Sequence, residues 1–173
     1  MSDTRSKKPV DDELGHAEAW SVLARGLEPE APNEAMRARL LAQLAGPERF
    51  ALFAEDLSRA FSVTREDALQ ALRRVPDASA WRPGLLAGSQ FLTTQALSEA
   101  RVVIARLPAG THIPTHQHHD RETTLVLQGL LIEDGRTQHG PGALLDMPAG
   151  TAHAITVSDQ ADCLVVFFGA SPP

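Results

Sequence analysis

A chain of 173 residues with 43% hydrophobic content is long enough for one domain with a buried core, or a small domain with a helical extension, and too apolar to be disordered. Its 22 acidic and 16 basic residues leave a formal net charge of −6, split as 11 basic and 14 acidic side chains up to residue 80 and 5 and 8 beyond it, so neither half is set up to hold nucleic acid directly. The single cysteine, Cys163, rules out an internal disulfide, and no apolar run approaches membrane-spanning length.

The opening stretch Met1–Lys8 lacks the apolar core of a signal peptide, which sets the expectation of a cytoplasmic location away from any membrane. Residues 1–80 then read as helices. Leu14, Trp20, Leu23, Ala24 and Leu27 share one stripe, with Asp11 or Asp12 as the start signal, and Pro29 and Pro32 break the run. Asn33 is placed to cap a helix with the apolar face Met36, Leu40, Leu41 and Leu44. Gly46-Pro47 opens another, with Phe50, Phe53, Leu57 and Phe61 spaced by three or four. Thr64-Arg-Glu-Asp67 is a capping-box variant ahead of Ala68, Leu69 and Leu72, and Pro76 stops the run. These stripes are most simply core-facing, although an amphipathic helix can equally cover a partner.

Trp81-Arg-Pro-Gly84 marks a turn, after which helical spacing fades. Short apolar runs take over at 101–107, 123–127, 130–132, 143–147, 154–157 and 164–168, separated by Pro108-Ala-Gly110, Asp134-Gly135, Gly140-Pro-Gly142 and Pro148-Ala-Gly150. This pattern predicts an all-β sandwich or barrel over 81–173. Apolar residues in succession imply burial on both strand faces, or one face on the core and the other on a second copy in a homodimer.

Six of the seven histidines fall between residues 112 and 153. His116 and His118 sit at i and i+2, so a strand would point both imidazoles at one place. Glu122 follows with the same parity, and His153 arrives from a later hairpin. Imidazole nitrogens and a carboxylate are ordinary ligands for zinc, iron, manganese or nickel. Glycines frame the set. Gly110, His116, His118, Glu122 and Gly129 are separated by five, one, three and six residues, and Gly142, Pro148, Gly150 and His153 by five, one and two. Both spacings resemble the paired motifs of the cupin superfamily. In the second motif Val157 stands where an Asn is usual. The resemblance implies a double-stranded β-helix, or jelly-roll barrel, with His116, His118, Glu122 and His153 as ligands of one divalent metal ion, zinc before iron, manganese or nickel. His119, of opposite parity, reads as outward or as a neighbour of the ligands, and His112 as a surface residue or one lining the mouth; His139 reads as a turn residue, His16 as a helix-surface residue and Cys163 as a buried strand residue, while Arg106 and Glu133 are solvated strand residues by default, with the barrel interior as their alternative.

A narrower resemblance covers most of the chain from about residue 49. Arg49-Phe50, Asp56-Leu57, Ala68-Leu-Gln-Ala-Leu72 and Asp77-Ala-Ser-Ala-Trp81-Arg-Pro-Gly84 are similar to the segment ahead of the barrel in ChrR-like cupin proteins. Leu107-Pro-Ala-Gly-Thr111, Leu125-Val-Leu-Gln-Gly129, Gly140-Pro-Gly142 and Met147-Pro-Ala-Gly-Thr151 are similar to their barrel, and Asn33–Ala42 resembles a helix of anti-sigma proteins. That family includes anti-sigma factors that hold an extracytoplasmic-function sigma factor through N-terminal helices and respond to oxidants through the cupin. The chain departs from it in lacking the His-x3-Cys-x2-Cys zinc signature. The nearest alignment puts Trp20 and Leu23 in the cysteine positions after His16. Packing there could replace the metal, or the helices could be a plain extension of the barrel; a thiol switch in the helical part is excluded. The favoured expectation is a regulatory metal-binding cupin that senses an oxidant or small molecule held in the barrel and partners a sigma factor. The alternative is a metal-dependent dioxygenase or isomerase, against which stand the lack of a clear general base beyond the ligands and the absence of any tyrosine.

Overall fold

The structure, a computed structural model, describes Ala31 and residues 33–168. The helix expected over residues 14–27, and His16 with it, lies outside the described residues. The chain forms two compact units, residues 1–38 and 39–173, and the boundary falls inside helix α1 (Glu34–Ala45). Asn33 starts this helix as its side chain predicts, its Oδ1 accepting the Met36 amide at 2.8 Å. Three residues of the expected apolar stripe of α1 are not core-facing, however. Met36, Leu40 and Leu41 are 46%, 49% and 55% exposed.

In the second unit, Pro47 opens a 3-10 helix (Pro47–Phe53) that runs into α2 (Ala54–Phe61), and α3 (Arg65–Arg73) follows. Thr64 caps α3 by accepting the Asp67 amide, while its hydroxyl donates to the Asp67 carboxylate. The return bond from the N3 side chain that a full capping box has is replaced by this one. The apolar spacing of these helices does face a core, with Phe50, Phe53, Leu57, Phe61, Ala68 and Leu72 all buried.

Ten strands follow: β1 (Arg82–Pro83), β2 (Gln90–Leu92), β3 (Val102–Leu107), β4 (His112–Gln117), β5 (Glu122–Gln128), β6 (Leu131–Glu133), β7 (Thr137–His139), β8 (Leu144–Met147), β9 (Ala152–Val157) and β10 (Cys163–Phe168). A short helix, α4 (Gln95–Glu99), separates β2 from β3. The strands pair antiparallel into a six-stranded sheet ordered β1-β2-β3-β10-β5-β8 and a four-stranded sheet ordered β4-β9-β6-β7. Ala105, Leu107, Val126, Cys163 and Val165 from the first sheet pack against Leu131, Ile155 and Val157 from the second. The two sheets therefore close over one core as a jelly-roll barrel, the mainly β architecture expected from the motif spacing, with helices ahead of it.

Alternate residues on the same strands point the other way. Val102, Ile104, Leu125, Leu127, Leu164 and Val166 join Phe50, Leu57, Phe61 and Leu72 in a second apolar cluster. This is the physical reason for the successive apolar residues of β5 and β10: one face fills the barrel and the other is roofed by the helices of residues 47–73. A partner subunit is not needed to account for those strands. Trp81 belongs to the same seam, donating its indole N–H to the Val75 carbonyl at 3.0 Å. Arg106 lies against the Trp81 ring, 4.5 Å from its centroid, on the helix-covered face and not in solvent.

Two glycines of the motifs hold the hairpins in left-handed backbone, and at Gly129 a side chain would also collide. Gly129 has φ +80, and a Cβ there would lie 2.7 Å from the Asp162 carbonyl oxygen. Gly150 has φ +85, and its amide donates to the His118 carbonyl at 2.8 Å while the His118 amide donates to the Thr151 carbonyl at 2.9 Å. That pair of bonds ties the two histidine-bearing segments together.

Candidate metal centre

The histidines meet because β4 pairs with β9 in the register His116↔His153 and Gln117↔Ala152. His118 lies one residue beyond β4 and is carried on by its backbone bond to Thr151. The result is a cluster in which His116, His118 and His153 each offer a nitrogen within 4.8 Å of the others. Their ring planes are steeply inclined to one another, with centroids 4.9 Å (His116–His118), 5.0 Å (His116–His153) and 4.8 Å (His118–His153) apart. His118 and His153 are buried, and His116 is half-buried.

Each ring has an oxygen at its Nδ1. The Pro114 carbonyl lies 3.0 Å from His116 Nδ1, Glu122 Oε2 lies 3.4 Å from His118 Nδ1, and Glu133 Oε1 lies 2.8 Å from His153 Nδ1. An acceptor at Nδ1 places the ring hydrogen there and leaves the lone pair on Nε2. His118 Nε2 and His153 Nε2 are 3.1 Å apart. That separation suits two nitrogens sharing one ion with bonds of about 2.0–2.1 Å. The three histidines thus fit a metal ion and could hold one.

Glu122 opens β5 and lines the same cavity as His116 and His153, but its carboxylate stands at His118 Nδ1 and outside the cluster of convergent nitrogens. Its 3.4 Å contact is longer than an ordinary N–H···O bond, so it is weakly held there. Burial pushes the His118 pKa below that of a free imidazole, the Glu122 carboxylate opposes that shift, and His153 and His116 add to it.

Glu133 was the residue that strand statistics would leave in solvent. It faces inward, because β6 alternates and Leu131 two residues before it lies in the barrel core. Its second oxygen accepts from His139 Nε2 at 3.0 Å, so His139 is not a turn residue but a β7 partner of this carboxylate. The bond from His153 holds the Glu133 carboxyl below the usual carboxylate range; burial opposes it and the bond from His139 reinforces it. The parity of Glu133 with Leu131 was the signal in the sequence. Of the remaining histidines, His112 bonds through Nδ1 to Thr156 Oγ1 at 3.0 Å on the exposed side of β4, and His119 is exposed.

Beside the cluster lies a partly open cavity of about 640 Å³, which residues within 83–91 also line. Leu107, Ile113, Leu131, Ile155, Val165 and Phe167 give it mainly apolar walls, and His116, Glu122 and His153 supply polar groups. Such a chamber can take a small apolar molecule with a donor atom directed at the histidines.

None of the curated proteins matches the chain. Among solved structures it is similar to the complex of Rhodobacter sphaeroides SigE with the anti-sigma ChrR (23% identity, 91% of this chain and 80% of that one, TM-score 0.47). It is also similar to a protein of unknown function with a cupin-like fold from Ralstonia eutropha JMP134 (20% identity, TM-score 0.37), covering 38% of this chain and only 43% of that protein's length. KdgF from Halomonas sp. matches at 18% identity over 53% of this chain and 87% of that one, with a TM-score of 0.40. No helix among the described residues is long and apolar enough to cross a membrane. The ChrR Cupin-like domain family matches residues 70–172, which takes in every strand and the histidine cluster, and the chain belongs to that family.

Proposed function

We propose that this protein is a regulatory metal-binding cupin of the anti-sigma type. In this reading His116, His118 and His153 hold one divalent ion, with Glu122 as the fourth ligand and zinc as the metal. The bound ion supplies a Lewis-acidic centre to which an oxidant or small molecule entering the cavity can bind. The chain's own part is to hold three imidazoles with their Nε2 atoms turned inward and to keep the space beside them apolar. The sigma factor would dock on the N-terminal helices.

The observation that carries the regulatory reading is the exposed stripe Met36, Leu40 and Leu41 on α1, apolar surface on a capped helix that has the spacing of a partner-binding face. The test is co-expression of the full chain with an extracytoplasmic-function sigma factor from the same genome, beside a variant carrying Met36→Glu, Leu40→Glu and Leu41→Glu. Co-purification with the parent chain and its loss in a variant of unchanged melting temperature support the reading. A parent chain that captures no such sigma factor, metal-loaded and reduced, contradicts it.

A second reading is a metal-dependent oxygenase or isomerase acting on a small apolar molecule, and the cavity beside the histidines favours it. Iron or manganese in the purified protein, with turnover of a substrate, would support that alternative over the first.

A further inference from the structure

The Nδ1 of His153 is the best-anchored imidazole nitrogen in the cluster, and its anchor is a charged one. His116 is oriented by a neutral backbone carbonyl at 3.0 Å, and His118 by a carboxylate at 3.4 Å. His153 donates to Glu133 Oε1 at 2.8 Å. Glu133 is in turn clamped, because His139 Nε2 donates to its other oxygen at 3.0 Å. All three side chains are largely enclosed, at 5%, 18% and 19% exposure for His153, Glu133 and His139. The three groups lie on three adjacent strands of the four-stranded sheet, β9, β6 and β7 in that order.

We infer that Glu133 is a positioning residue for the metal centre, selecting the Nδ1–H tautomer of His153 so that Nε2 is the ligating atom, and that His139 holds Glu133 in place for that purpose. This inference rests on the proposed metal site. An ionised carboxylate only accepts, so the hydrogen between His153 and Glu133 belongs to Nδ1 and the lone pair to Nε2. The negative charge also makes His153 a more basic donor toward a cation than a ring bound to a neutral carbonyl. His139 occupies the second oxygen, so Glu133 has only one free arrangement, the one facing His153.

The test uses the full chain, with zinc as the probe, and compares the parent with Glu133→Gln, Glu133→Ala, His139→Ala and His153→Ala. Zinc affinity is read by competition with a chromophoric chelator, and imidazole tautomers are read from long-range 1H–15N spectra of the zinc-free protein. The parent should bind zinc and show His153 protonated at Nδ1 alone. Glu133→Ala should weaken zinc binding about 10- to 100-fold, Glu133→Gln by less because its amide oxygen still accepts the Nδ1 hydrogen, and His139→Ala by less than Glu133→Ala. Glu133→Gln keeps the shape of the site, so a loss in that variant with an unchanged melting temperature separates positioning from general stability. Parent-like affinity in both Glu133 variants, or His153 protonated at Nε2 in the zinc-free parent, overturns the inference while leaving the metal site standing. A parent chain that binds no zinc overturns the metal reading and this inference with it.

Discussion

His118 Nε2 and His153 Nε2 lie 3.1 Å apart although 35 residues of chain separate them. Two convergent lone pairs at that distance repel unless a hydrogen or a cation lies between them. A divalent ion held by both nitrogens would relieve that repulsion. Excess zinc should raise the melting temperature of the protein, because an ion bound only to the folded chain adds about 2.7 kcal/mol of stability at a hundredfold excess over its dissociation constant. A chelator added in thermal unfolding should reverse that increase, and a melting temperature indifferent to both reagents would argue against a folded-state ion.

The seam between helices and barrel is the other main source of stability. Leu57 and Leu72 are 0% and 1% exposed and pack with Leu125, Leu164 and Val166. Leu57→Ala should cost about 2–5 kcal/mol in denaturant unfolding, the range for a buried leucine emptied into a close-packed site. A fragment beginning at residue 81 would uncover the same strand face and should aggregate where the whole chain does not. A loss below 1 kcal/mol in the point variant, together with a soluble, folded fragment, would show that the helices contribute little to the barrel.

Cys163 points into the barrel core, and burial pushes its thiol up to about 12. The folded chain disfavours the thiolate that the unfolded chain forms from about pH 8.5. This contribution to stability is complete below that pH and is lost as pH rises toward 12. At pH 8 a thiol reagent should label the native protein less than about one-hundredth as fast as the denatured one. Equal rates would place the thiol in solvent and remove it from the core.

Gly129 takes φ +80 under the Asp162 carbonyl. Gly129→Ala should destabilise the fold by about 1–3 kcal/mol, since the backbone conformation and the Cβ contact are both unfavourable. Unchanged unfolding would mean that the turn rearranges at little cost.

The barrel and its histidines were legible because the motif spacing carries both. The same glycines that bend the chain at 110, 129, 142 and 150 set the register that lays His116 beside His153. The roof of helices was harder to read. The stripe Phe50, Phe53, Leu57 and Phe61 announces a buried face but not the surface that buries it, and the apolar outer face of β3, β5 and β10 could have met a second copy equally well. The stripe on α1 looked the same in sequence and is exposed at Met36, Leu40 and Leu41, because amphipathic spacing does not distinguish a core from an outside partner. His139 reads as a turn residue in the sequence, and Glu133 has the barrel interior only as the alternative to solvent, for a different reason. A charged strand residue is by default in water, and only its parity with Leu131 argued otherwise.

The most direct test of the central claim is the metal content of the full chain, purified without added chelator and reconstituted with zinc, beside His118→Ala. The account predicts close to one ion per chain in the parent and under about a tenth of that in the variant, since the site loses one of its three convergent imidazole nitrogens, the one 3.1 Å from His153 Nε2. A parent chain without stoichiometric metal after reconstitution, or a variant that keeps it, would contradict the account.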